Sequence, residues 1–269
     1  MLVAVLLVLL VPTWTGQVDD LAQTRTRIAF ENALVTFALA RTLNGVISVA
    51  QGTELAFQPA GVGVVVTAGE ILDPLNDLIE QFSWLTLLAT TSLGAQILLS
   101  QMFATPFANG VVTVAVAGAA LAWLFAPPAG RLRRHALQIA LALTIIRFAV
   151  AFAALTTSWV TATFLDEREA ESVAYLSDTS TTIEATADAP TSPRGPLDSL
   201  SDLLDDAREA MALRERIDSL QARAEAATEH IINLIVVYMV ETLLLPIAML
   251  AAAWAALKYA IRRVGNEPL

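Results

Sequence analysis

The sequence predicts a mostly α-helical integral membrane protein, with a long antiparallel helical hairpin extending outside the bilayer and a small β-hairpin in its N-terminal extramembrane part. Three observations carry that fold class. Residues 136–165 and 231–257 are apolar runs, each longer than the roughly 20 residues a helix needs to cross a bilayer. The chain is 56% apolar, above the roughly 45–50% of a soluble domain. The net charge of −10 is also confined: residues 166–229 hold 16 acidic and six basic side chains, and the rest of the chain is neutral.

The chain opens with an apolar stretch at 2–11 that Pro12 closes. Ten residues are too few to span, so residues 1–18 read as a signal peptide or a short N-terminal anchor. Residues 20–50 carry Ile28, Phe30, Ala33, Leu34, Phe37, Ala38, Leu43 and Ile47, in which Phe30, Ala33 and Phe37, then Leu43 and Ile47, recur at three- and four-residue steps, the pattern of a helix. Two β-prone runs at 53–57 and 62–67 flank Gln58-Pro59-Ala60-Gly61. They predict a hairpin, with an irregular loop as the alternative. Asp73 and Pro74 predict a helix start, with Asp as N-cap and Pro at the first helical position. The second half of that helix interrupts an apolar run with Ser83, Thr86, Thr90 and Thr91. This suits a helix lying in the membrane interface, with a true span as the rival reading. Residues 19–107 are accordingly expected to be extracytoplasmic.

Residues 108–127 form the first expected span. Ala115 with Ala119, and Gly118 with Ala122, place small residues four apart, which lets helices approach closely. A basic loop at 128–135 holds Arg131, Arg133 and Arg134. Spans are expected at 136–165 and 230–257, and a tail at 258–269 carries Lys258, Arg262 and Arg263. Basic loops mark the cytoplasmic side, so these six cations predict that both segments are cytoplasmic and that the acidic block 166–229 lies outside. Within the block, 177–196 is rich in Ser, Thr, Pro and Ala and reads as a linker. From Leu197 apolar residues return at alternating threes and fours, a coiled-coil-like stripe. No proline intervenes before Pro246, so one helix can run from about residue 197 to about 263.

Arg147 and Glu241 each lie inside an apolar run. A charge in hydrocarbon costs at least ~2.5–3.5 kcal/mol on insertion scales, so the two are expected to form an intramembrane ion pair. Pro246 removes a backbone hydrogen bond one turn later and predicts a kink. His135 and His230, like Trp84, Trp123, Trp159, Trp254, Tyr238 and Tyr259, fall near span ends and read as interfacial residues. With no cysteine, thiolate chemistry, iron–sulfur clusters and cysteine zinc sites are excluded. Ser83, Thr90 and Thr91 have no basic neighbour in sequence to activate them. No catalytic residue, metal or cofactor is expected, and the acidic balance argues against nucleic acid.

The expected partners are the lipid bilayer and either a second copy or a membrane or periplasmic protein. The expected function is a non-enzymatic scaffold or accessory subunit of the bacterial inner membrane, presenting a periplasmic helical hairpin. The alternative is an oligomeric small channel or transporter subunit using Arg147 and Glu241.

Overall fold

The computed structural model describes residues 2–51, 54–57, 64–127, 130–187 and 200–266. Helix dominates these residues. In chain order come α1 (Leu2–Thr15), α2 (Gln17–Gln51), strands β1 (Glu54–Phe57) and β2 (Val64–Thr67), then α3 (Ala68–Phe103), α4 (Pro106–Phe125), α5 (Arg131–Phe164), α6 (Asp166–Ala187) and α7 (Leu200–Met239). A π-helical turn, Val240–Leu244, joins α7 to α8 (Leu245–Asn266). The two strands pair antiparallel with Glu54 opposite Thr67; residues 58–63 between them lie outside the described residues.

Five helical stretches are long and apolar enough to cross a bilayer: Gln17–Val49, Leu72–Phe103, Pro106–Phe125, Arg131–Phe164 and Gln221–Val264. Sequence reasoning expected three. The two additional stretches lie in α2 and α3, whose polar residues disguise them. In α3, Ser83, Thr86 and Thr90 are buried while Trp84, Leu87 and Leu88 are exposed. The Thr86 hydroxyl donates to the Phe82 carbonyl (3.1 Å), so that side chain satisfies itself on its own helix.

The chain divides into two compact units. The first comprises Met1–Asn32, Ala89–Leu165 and Met239–Leu269. Here α5 packs against both α4 and α8, and α1 lies on α4 and α5. One core cluster joins Leu6, Val112, Val116, Ala119, Leu137, Ala140 and Val264. A second joins Ala22 of α2 to Ala151 and Ala154 of α5. Alanines and threonines such as Ala119, Ala140, Thr144 and Thr157 face inward, whereas Val114, Leu121, Phe152, Trp159 and Ile247 face outward. Small residues at the contacts and bulky apolar ones outside is the distribution of helices packed in lipid.

The second unit comprises Ala33–Leu88 and Asp166–Tyr238. Its buried positions recur at threes and fours. The stripe is Ala33, Thr36, Ala40, Leu43 and Ile47 on α2, and Leu72, Leu75, Ile79 and Phe82 on α3; Ala227, Ile231, Leu234 and Tyr238 repeat it on α7. That spacing puts the buried residues of each helix on one face.

Two local expectations are corrected. The helix expected to start at Asp73 starts at Ala68, so Asp73 and Pro74 lie inside α3 and cap nothing. The apolar stripe already begins at Leu72, and Asp73 instead accepts a hydrogen bond from Gln51 Nε2 (2.9 Å). The expected linker 177–196 is helical through Ala187; residues 188–196 lie outside the described residues. Thr181 and Thr182 donate to the Asp178 carbonyl at 2.8 and 2.9 Å, so hydroxyls that favour turns here bond back to the helix that carries them.

Candidate functional site: an arginine clamp in the first unit

Two helix starts converge on Arg147. Gly16, at φ +70°, separates α1 from α2, a conformation that costs glycine little and other residues much. Asp19 follows in the first turn of α2, where the positive end of the helix dipole favours a carboxylate. The second break lies between α3 and α4. Thr105 caps α4, accepting from the Ala108 amide, and Pro106 occupies the first turn. Asn109 stands one turn into α4 and is buried.

Arg147 lies about halfway along α5, 16 residues or roughly 24 Å from its start. Its guanidinium grips Asp19 with both arms: Nη1 donates to Oδ1 at 2.9 Å and Nη2 to Oδ2 at 2.7 Å. Nε donates to Asn109 Oδ1 at 3.0 Å. The two charged side chains are 2% and 5% exposed. Bidentate, charge-assisted and dry, this is the strong form of the interaction. The network extends to α1: Trp14 Nε1 donates to Thr113 Oγ1 (3.0 Å), which donates to the Asn109 carbonyl (2.7 Å). Four helices are thereby tied at one level.

Sequence reasoning expected Glu241 to hold Arg147; the bidentate partner in the structure is Asp19. The ten apolar residues of 2–11 are too few to span, which puts Asp19 within the expected extracytoplasmic region 19–107. The missed signal was Gly16-Gln17-Val18-Asp19 directly after an apolar helix: a breaker, then an acid. Glu241 is buried in the π-helical turn, which touches α5.

At Pro246, where a kink is expected, the structure shows a change of helical hydrogen bonding. In an α-helix the Thr242 carbonyl would accept from the amide of residue 246, and proline has none. The chain widens into the π turn at 240–244, where the Leu245 amide reaches back to the Val240 carbonyl. Ser92 of α3 donates its hydroxyl to the Thr242 carbonyl at 3.2 Å. Single π turns of this kind often mark functional positions.

Beside the clamp, Asp20, Thr24, Arg27 and Glu31 of α2 face Ile97 and Gln101 of α3 across a polar groove of about 410 Å³. The positions 20, 24, 27 and 31 share one helical face.

The six basic topology residues gather at one end of the first unit. Gln138 Nε2 donates to the Ile261 carbonyl (3.1 Å), which sets the start of α5 beside the end of α8. Arg131, Arg134, Lys258 and Arg262 are surface residues of this end, and Arg263 lies in the last turn of α8. Arg133 departs from the group: it is buried, with its guanidinium carbon 3.1 Å from the centroid of Trp123. Trp123 is thus a cation–π partner as well as a span-end residue.

In the second unit Tyr238 is fully buried, not interfacial. Its phenolic oxygen lies 2.8 Å from both Thr36 Oγ1 and Glu169 Oε1. One phenolic proton can serve only one of them; the carboxylate takes it, and Thr36 supplies its own. Burial pushes the Glu169 carboxyl above its ordinary value; the Tyr238 hydrogen bond opposes this and Asp166 adds to it. His230 stacks on Tyr175 at 4.3 Å between centroids and its Nδ1 lies 3.2 Å from Ser172 Oγ. Among the described residues, no group of three or more His, Asp or Glu is placed to hold a metal ion.

Comparison with protein-family models, curated proteins and solved structures finds no match for this chain.

Proposed function

We propose that the protein is a non-enzymatic scaffold or accessory subunit of a bacterial inner membrane, whose acidic helices α6 and α7 form a periplasmic hairpin for self-association or partner binding. The observation that supports this reading most is the closed state of the Arg147 clamp. Its Nε and both terminal nitrogens are spent on Asp19 and Asn109 inside the unit, so the arginine is built to hold helices and not to receive a solute. The acids of α6 and α7 with described side chains are turned the other way. Glu167, Glu171, Asp178, Glu215, Asp218, Glu225 and Glu229 are all exposed, and only Glu169 is buried. Charge at the surface of a helical pair sets partner choice and orientation. The basic end of the first unit, with Arg131, Arg134, Lys258, Arg262 and Arg263, is the cytoplasmic side in this reading. The packing of α1 through Leu6 and Trp14 favours the short anchor over the signal peptide.

A second reading, a small channel or transporter subunit, is favoured by one specific arrangement. Two helix breaks, the π turn that carries Glu241 and the polar groove of α2 all belong to one unit, and discontinuous helices are typical of transport sites. Reconstitution into liposomes separates the two. The scaffold reading expects ion and solute flux at the level of protein-free liposomes, together with a complex larger than the 28.7 kDa chain that Glu225→Lys with Glu229→Lys breaks. Flux that Glu241→Gln abolishes would overturn it.

A further inference from the structure

At the basic end, α4 and α5 leave an apolar groove of about 790 Å³ between them. Gly118 and Ala122 form its floor, and Leu121, Phe125, Leu132 and Ile139 its walls. A Cβ placed on Gly118 would meet no atom within 4 Å, so the floor is open space. On α4 the groove runs from Ala115 to Ala126, about 16 Å at 1.5 Å per residue. That is close to half the roughly 30 Å thickness of bilayer hydrocarbon, the depth of one leaflet.

Its mouth adjoins the first turn of α5 through Leu132, and the charge around that turn suits an anion. The N-cap, Gly130, supplies no side-chain acceptor to the first amides of α5. Arg131 and Arg134 lie in that turn beside the groove residue Leu132, whereas Arg133 turns inward onto Trp123. The sequence contains no acidic residue from 81 to 165. Through the Gln138–Ile261 contact the end of α8 brings Lys258 and Arg262 to the same end.

We propose that this groove binds one acyl chain of an anionic phospholipid, with the lipid phosphate seated against the Arg131–Arg134 turn. An apolar slot one leaflet deep selects a fatty chain, and a cationic rim without nearby acids selects a negative headgroup. A second copy of α4 could also use the small-residue floor, but it would bring its own Phe125 and no negative charge to the cationic rim.

Native mass spectrometry of the detergent-purified full chain tests this with phosphatidylglycerol and phosphatidylcholine of identical acyl chains. Phosphatidylglycerol should stay bound at about one lipid per chain, and phosphatidylcholine should not. Gly118→Leu should remove the bound lipid by filling the slot. Arg131→Gln with Arg134→Gln should weaken retention by roughly thirtyfold, from the attraction each arginine supplies near a headgroup. The double variant leaves the groove intact and keeps the test decisive should Gly118→Leu fail to fold. Equal retention of both lipids, or undiminished phosphatidylglycerol binding in the double variant, overturns the proposal. So does a Gly118→Leu protein that loses a dimer but keeps its lipid.

Discussion

Arg147 and Asp19 are the residues on which the first unit turns. Removing one partner of a buried pair leaves an uncompensated charge, which costs about 3–5 kcal/mol, whereas replacing both with apolar groups can be neutral. Arg147→Leu and Asp19→Leu should therefore each lower the yield of folded protein sharply. The double variant should recover much of it, as read by size-exclusion yield and thermal midpoint in detergent. Equal losses in all three would show that the pair contributes nothing as a pair. Glu169 gives a pH-dependent counterpart in the second unit. Its folded pKa is raised above its unfolded value, chiefly by burial, so the stability it contributes is fully present below the unfolded pKa and is lost as pH rises through the folded one. Glu169→Gln keeps an acceptor for Tyr238 and removes the charge. It should raise the thermal midpoint at pH 8 and flatten the rise in stability that wild type shows on acidification; a lower midpoint at pH 8 would reverse the assignment.

Elements show where sequence reasoning succeeds and where it stops. The three expected spans coincide with helices because long apolar runs have one cheap state in lipid. Of the expected stripe, Ala227 and Ile231 are buried, and their spacing is local and so readable in sequence. The clamp was not readable, because Asp19 reaches Arg147 through a glycine break whose geometry depends on α1 packing against α4 and α5. Asp73-Pro74 misled for the opposite reason: a strong local capping signal was overridden by the buried residue before it, Leu72. The π turn likewise needed two distant facts, a proline at 246 and a hydroxyl at 92. If the Pro246 break and the Ser92 hydroxyl act on the same Thr242 carbonyl, Ser92→Ala should cost about 1 kcal/mol in wild type. In a Pro246→Ala background the amide returns and the same change should cost close to nothing. A double-mutant cycle by thermal unfolding reads the difference, and an identical cost in both backgrounds would detach the hydroxyl from the proline.

For the molecule as a whole, the small and polar residues of the first unit face inward and Trp159, Phe152 and Ile247 face outward, the distribution expected where lipid surrounds the helices. Helix α5 is the direct probe, because it carries Arg147 and runs from the basic end to the start of the acidic block. His135 and Thr163 are exposed near its two ends, about 42 Å apart along the axis at 1.5 Å per residue. Because the chain has no cysteine, His135→Cys and Thr163→Cys each report a single position. With a membrane-impermeant maleimide on intact cells, the cysteine at 163 should label at once and the one at 135 only after the membrane is opened. Labelling of both positions from the same side would mean that α5 does not cross the bilayer and that the Arg147–Asp19 clamp does not sit inside it.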